Sequence, residues 1–383
     1  MGLLLALLAC SGDPEPKPRA ATDDTAVVES FVPLAPLAAT GAGPYSPGVW
    51  TVSITDPRGK VLVVEVWYPA DPAPDAPKAS YGPTTITGTA VRNAPPLRGA
   101  FPVVAFSHGL GAVRYQSPFL CERLASHGFV VVSPDHPKST MFDLDEDALV
   151  EVFLERPDDL RYTVDGLRAQ SSTPDSFIEG VLGDGDYAAV GHSFGAITVM
   201  SLGGGSWYPQ GVSDWCAENG GLPCWYFEDI DPNELSAHGG PDPRVLATVP
   251  MAPGMAYAFT PDDAGLPSVA RPLVLGATRD TILGYEREVL PVYDGLTGPR
   301  ALATFHDAGH YAFSDLCTLA PFFADECAEA DDGFIDLALA QEATNQLVTA
   351  WLREAFELQV PGDAELLDPA AWGDDITLTV DED

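Results

Sequence analysis

The sequence predicts an α/β fold: a mostly parallel sheet with helices on both faces and loop insertions forming a cap. Three observations predict it. Apolar runs such as Pro102-Val103-Val104-Ala105-Phe106, Tyr187-Ala188-Ala189-Val190 and Pro272-Leu273-Val274-Leu275-Gly276-Ala277 lack polar alternation, as expected of strands buried on both faces. Gly191-His192-Ser193-Phe194-Gly195 stands between one such run and the helix-forming Ala196-Ile197-Thr198-Val199-Met200, so Ser193 is expected on a sharp, strained strand-to-helix turn. A chain of 383 residues is ample for one large core with insertions.

In chain order, residues 1–10 are a short apolar stretch, Met1-Gly2-Leu3-Leu4-Leu5-Ala6-Leu7-Leu8-Ala9-Cys10, that resembles a bacterial lipoprotein signal ending at the lipobox cysteine. No Lys or Arg precedes the run, which points to a start further upstream. The expectation is export, with lipid on Cys10 as the sole membrane contact, at the outer membrane or periplasmic side of the envelope. The run is far too short to span a bilayer. Residues 11–42, rich in Pro, Ala, Asp and Thr, read as a flexible linker; 43–360 as the catalytic domain; and 361–383 as a peripheral acidic tail.

Within that domain, Trp50 to Thr55 and Val61 to Tyr68 predict an opening hairpin around Asp56-Pro57-Arg58-Gly59, followed by a Pro-rich loop from Pro69 to Pro83. Asp143 to Glu155 and a helix from Asp159 to Gln170 read as a solvated face. Asp184 and Asp186 are expected to be ordinary turn residues, with calcium binding the less favoured reading. Residues 203–243 carry Trp207, Tyr208, Trp215, Trp225, Tyr226 and Phe227, which either line a substrate pocket or pack as a cap.

The candidate chemistry sits in four loops. Ser193 is the expected nucleophile. The strand at 102–106 runs into Ser107-His108-Gly109-Leu110-Gly111-Ala112, whose Leu110 amide, with that of Phe194, is expected to form an oxyanion hole. Asp280 follows the strand at 272–277. Ala301-Leu302-Ala303-Thr304-Phe305 is a last strand, closed by His306-Asp307-Ala308-Gly309-His310. Gly309 is expected to free the loop to turn His310 toward Ser193, so His310 is preferred over His306 as base and Asp280 over Asp307 as acid. A serine hydroxyl is a poor nucleophile at neutral pH, so the histidine must take its proton while the carboxylate fixes the tautomer. His108 precedes Ser193 in the chain and reads as structural, and His192 is expected to pack beside the sheet.

These stretches resemble the α/β-hydrolase superfamily, in particular platelet-activating factor acetylhydrolases and dienelactone-hydrolase-like serine esterases. The resemblance lies in Phe106-Ser107-His108-Gly109-Leu110-Gly111-Ala112-Val113-Arg114, Leu124-Ala125-Ser126-His127-Gly128-Phe129-Val130-Val131-Val132 and Gly191-His192-Ser193-Phe194-Gly195. It covers roughly residues 43 to 358 and implies a serine esterase with Leu110 and Phe194 as oxyanion donors. In the acetylhydrolases the acid follows the strand after the nucleophile's, where this chain has Val249-Pro250-Met251-Ala252-Pro253 and no carboxylate. The segment Gly276-Ala277-Thr278-Arg279-Asp280-Thr281-Ile282, with Pro291-Val292-Tyr293 and Gly309-His310-Tyr311-Ala312, is instead similar to cutinase-like polyester hydrolases, whose acid lies one strand later.

Nineteen Lys and Arg against 56 Asp and Glu give a formal charge of -37, which opposes nucleic acid and anionic membrane surfaces and disfavours anionic substrates. Of the cysteines beyond Cys10, Cys216 with Cys224 and Cys317 with Cys327 are the expected disulfides, leaving Cys121 free in a helix. No cofactor or metal is expected. The partner is a small-molecule or polymeric ester, and the sequence does not specify an oligomeric state. The enzymatic alternative is a cutinase-like polyester hydrolase; the alternative of another class is a non-catalytic surface binding protein on a hydrolase scaffold.

Overall fold

The computed structural model describes residues 33–82, 86–220, 224, 240–260, 265–319 and 333–382. Eleven strands are described: β1 (Ser46–Thr55), β2 (Val61–Ala70), β3 (Lys78–Tyr81), β4 (Ile86–Arg92), β5 (Phe101–Ser107), β6 (Val130–Pro134), β7 (Leu182–His192), β8 (Val245–Met251), β9 (Leu273–Ala277), β10 (Arg300–Phe305) and β11 (Ile376–Asp381). They form one sheet in the order β11-β10-β9-β8-β7-β5-β6-β2-β1-β4-β3. The run from β10 to β6 is parallel throughout. The expected hairpin is present, with Ser46 opposite Ala70 and Thr55 opposite Val61. Asp56 caps its turn by accepting from the amides of Arg58 and Lys60.

The unbroken apolar runs are explained by two covered faces. In β5, Val104 and Phe106 enter one core and Val103 and Ala105 the other; in β7, Ala188 and Val190 divide from Tyr187 and Ala189 in the same way. Helices α1 (Pro118–Ser126) and, near the C-terminus, α5 (Leu337–Ala355) cover the first face. Helices α2 (Leu149–Ser171) and α3 (Phe194–Leu202) cover the second, and α4 (Pro209–Asn219) packs in a third cluster beside them. From β5 the chain moves to β6 on one side and returns to β7 on the other. This reversal opens a crevice at the carboxyl ends of β5 and β7, where the oxyanion loop and the serine turn emerge.

Five expectations need correction. Helix α2 begins at Leu149, ten residues before the expected start, because Pro157 is carried inside the helix. Its Arg156 and Asp159 are fully buried, so this segment is not simply a solvated face. The Pro-rich loop contains β3, which pairs with β4. The acidic C-terminal stretch supplies β11, antiparallel to β10 from Arg300 opposite Asp381 to Phe305 opposite Ile376. Finally, the body begins before Gly43: Ala39 N–H donates to Asp363, and the carbonyls of Leu37 and Gly41 accept from Arg353 and His127. Among the described residues no helix is long and apolar enough to cross a membrane.

Candidate active site

Ser193 lies between β7 and α3 at φ 57° and ψ -120°, a conformation that costs a non-glycine residue about 1–3 kcal/mol. Its amide donates to the Met251 carbonyl at the end of β8 (2.9 Å), and its carbonyl accepts from Ala196 N (2.8 Å), which together hold the turn. The flanking glycines are sterically required: a Cβ on Gly191 would strike the Gly195 carbonyl, and one on Gly195 would strike the Ser107 carbonyl. The sequence expectation of a strained serine turn is met.

The loop after β5 is fixed on all sides but one. Gly109 N donates to Gln116 Oε1 (2.8 Å), Gly111 N to the Ser139 carbonyl (2.9 Å) and Ala112 N to the Gly109 carbonyl (3.3 Å). The amide of Leu110 between them has no acceptor among the described residues, and neither has that of Phe194 at the first position of α3. Two amides left over at a helix N-terminus and a rigid loop are suited to receive an anion. His108 is structural, as expected: Nδ1 donates to the Gly109 carbonyl (2.7 Å) and Nε2 accepts from His136 N (3.1 Å). Burial, then the Arg156 charge, pushes its pKa well down, so it stays neutral.

Asp280 and His310 sit in loops that continue the neighbouring strands β9 and β10 and remain bonded to each other, Thr278 N to the Phe305 carbonyl and Arg279 N to that of Ala308. His310 Nδ1 lies 2.6 Å from Asp280 Oδ2, both residues being buried. Asp280 Oδ1 accepts from Ile282 N (2.9 Å) and Leu283 N (2.7 Å), which fixes the carboxylate plane. The turn is made differently from the sequence expectation: Gly309 is extended at φ -95°, and Asp307 takes the left-handed conformation at φ 55°. Asp307 is exposed, with its amide on Thr278 Oγ1, while His306 bonds Thr377 Oγ1. The structure therefore brings Asp280, and not Asp307, to His310.

Two residues join these loops: His192, expected only to pack beside the sheet, and Gln116, to which sequence reasoning assigned no role. His192 Nε2 donates to the His310 carbonyl (2.9 Å), its Nδ1 accepts from Gln116 Nε2 (2.9 Å), and Gln116 Oε1 in turn holds Gly109. One chain of bonds thus ties the oxyanion loop, the serine turn and the histidine turn. His192 must be neutral to serve in it, and burial reinforced by the nearby His310 lowers its pKa to about 3. Beneath the loop lies a second string, Ser107 Oγ to His136 Nε2 (3.0 Å) and His136 Nδ1 to Asp159 Oδ2 (2.9 Å). All three residues are fully buried, so no ester reaches Ser107.

Behind Ser193 an aromatic wall runs from Phe194 through Phe153 (5.7 Å between ring centroids) and Trp207 (4.2 Å) to Phe259 (4.8 Å). Trp215 stacks on Tyr257, whereas Trp225, Tyr226 and Phe227 lie outside the described residues. Cys216 and Cys224 form the expected disulfide, and Cys121 is free and buried in α1. Cys317 is disulfide-bonded, and Cys327 lies outside the described residues, as do residues 1–32 with Cys10. Among the described residues no group of three or more His, Cys, Asp or Glu is arranged to hold a metal, and Asp184 and Asp186 are exposed.

The histidine turn is anchored by Asp315, whose Oδ2 accepts from Phe119 N (3.1 Å) in the first turn of α1. Burial raises its pKa to about 7. A folded-state value above the unfolded one means that the native protein holds the proton longer, so stability declines as pH rises from about 4 to about 7. Asn keeps the acceptor without the charge. Asp315→Asn is therefore expected to raise the thermal midpoint relative to wild type most at pH 8 and least at pH 4, as read by scanning calorimetry. A pH-independent difference would contradict this account.

A parallel central sheet, a strained serine turn after β7 and an acid–histidine pair after β9 and β10 define an α/β-hydrolase fold. Residues 79–151 match the family model of platelet-activating factor acetylhydrolase, isoform II. Among solved structures the chain is similar to a ferulic acid esterase from Streptomyces cinnamoneus, at 22% identity and a TM-score of 0.53, covering 81% of this chain and 90% of that one. Among curated proteins none matches.

Proposed function

We propose that the chain is a serine carboxylic ester hydrolase that turns over neutral, short-acyl esters through an acyl-enzyme on Ser193. The observation that carries this reading is the 2.6 Å Asp280–His310 pair, held in loops at the same sheet end as the strained Ser193 turn. With Asp280 accepting the Nδ1 proton, the neutral ring presents a lone pair at Nε2. His310 takes the Ser193 proton as Oγ attacks the ester carbonyl, and returns it to the leaving alcohol. The amides of Leu110 and Phe194 receive the tetrahedral oxyanion, each contributing on the order of 3 kcal/mol to lowering the barrier. Water, activated by the same histidine, then releases the acid. The match to an acetylhydrolase family supports the short acyl group, and the charge of -37 supports a neutral ester. The name of the structural relative adds aromatic esters to the substrates worth assaying.

The cutinase-like reading is favoured by one observation. Leu110, Met141, Phe142 and Leu144 are exposed, and Met141 N donates to the Ala112 carbonyl, which sets this apolar rim beside the oxyanion loop. Such a rim suits an extended apolar ester. The chain is further proposed to act outside the cytoplasm, anchored through Cys10; the Cys216–Cys224 disulfide supports an oxidising compartment.

The test is hydrolysis of p-nitrophenyl acetate, butyrate and octanoate, and of a polyester film, by wild type and Ser193→Ala. The acetate ester is expected to be turned over fastest, with Ser193→Ala reduced by about 10⁴-fold or more. A fluorophosphonate should label Ser193 and no other residue. Ester turnover that survives in Ser193→Ala would remove the assignment, and faster release from the film than from small esters would favour the polyester reading.

A further inference from the structure

Arg156, in the second turn of α2, has no solvent exposure. Among the described residues it makes no ion pair. Asp159, one turn on, is engaged instead by Arg58, Lys60 and His136. The Nη2 group donates to the His108 carbonyl, while Nε and Nη1 have no acceptor among the described residues. The guanidinium carbon lies 4.8 Å from the centroid of the Phe194 ring. Burial lowers the Arg156 pKa to about 9, which leaves it charged at neutral pH.

An unpaired buried cation is costly, and a methionine of similar volume would fill the same space without that cost. The position of this one is informative. Its single hydrogen bond ends on the residue two before Leu110, and its guanidinium lies over the ring of Phe194. The two unpartnered amides belong to these same segments, which arrive from β5 and β7 and are also joined on the other face of the sheet end through Gln116, which bonds Gly109 N and His192. A planar guanidinium can bond one and stack on the other at once, which an ammonium cannot. In a dry interior, its charge also favours the state in which an anion forms nearby.

Resting on the serine-esterase reading, we infer that Arg156 is a positioning residue that clamps the two halves of the oxyanion hole and biases the site toward the tetrahedral anion. Arg156→Met is expected to lower kcat by about 10- to 100-fold with KM within about two-fold of wild type. Affinity for a trifluoromethyl ketone, which forms an anionic hemiketal on the serine, should fall by the same factor as kcat. Arg156→Lys, which retains the charge but not the flat fork, should lie between, and it carries the test if Arg156→Met does not fold. Wild-type kcat in either variant overturns the inference. So does an equal loss of substrate and ketone affinity, the signature of a merely structural role. A wild-type protein without Ser193-dependent turnover overturns the esterase reading itself, an outcome separate from unchanged kcat in the variants.

Discussion

Asp280→Asn is expected to lower kcat on p-nitrophenyl acetate by about 10⁴-fold while the protein stays folded. The size of the effect follows from which oxygen each neighbour holds. Oδ1 of Asp280 accepts two backbone amides, those of Ile282 and Leu283, and Oδ2 faces His310 Nδ1. An asparagine must leave its carbonyl oxygen at the first position, because an amide nitrogen there would oppose two N–H donors. Its NH₂ group is then directed at His310 Nδ1, which has to accept. The ring proton is driven to Nε2, the nitrogen required to be unprotonated when Ser193 loses its hydrogen. The variant is thus locked in the wrong tautomer with almost unchanged packing, so the thermal midpoint should move little. Asp307→Asn is the matched control, since Asp307 is exposed and points its backbone at Thr278, and it should retain turnover within about two-fold. Normal kcat in Asp280→Asn, or a large loss in Asp307→Asn, would reassign the acid.

The sequence was readable where chemistry and local pattern coincide. Val103 to Phe106 and Ala188 to Val190 alternate between two apolar cores, so their composition alone marks buried strands. Ser193 is framed by glycines that no other residue can replace at that spacing, and Asp280 and His310 each follow such a strand. What was hidden depends on contacts distant in sequence. The bonds that make His192 a support for His310 span 118 residues, and those to Gln116 span 76, so nothing near His192 announces them. Arg156 and Asp159 are charged residues in an acidic stretch, and composition assigns them to solvent. Only the packing of α2 under the oxyanion loop buries them. Pro157 misplaced the helix start for a local reason, because a proline inside a helix removes one backbone hydrogen bond and ordinarily marks a boundary. β11 was missed because its alternating Ile376, Leu378 and Val380 lie in an acidic tail, and an edge strand needs only one buried face.

Gly195→Ala is expected to destabilise the protein by about 3 kcal/mol and to cut kcat/KM by about 100-fold, from the addition of one methyl group. The added carbon would overlap the Ser107 carbonyl and stand 2.9 Å from the His108 carbonyl oxygen, and both neighbours are backbone, so no side chain can swing away. Relief requires α3 to move off the end of β5. That movement draws the Phe194 amide away from Leu110, and it pulls on a serine turn whose strain is maintained by the Ser193 N to Met251 carbonyl bond. Stability and turnover should therefore fall together, with the thermal midpoint lower by roughly 3–5 °C. Gly185→Ala provides the comparison within β7, because a Cβ there meets nothing within 4 Å, and it should change stability by no more than about 0.5 kcal/mol. If Gly195→Ala matched Gly185→Ala in both readouts, α3 would not be seated against β5 as described, and the pairing of the Leu110 and Phe194 amides would lose its structural basis.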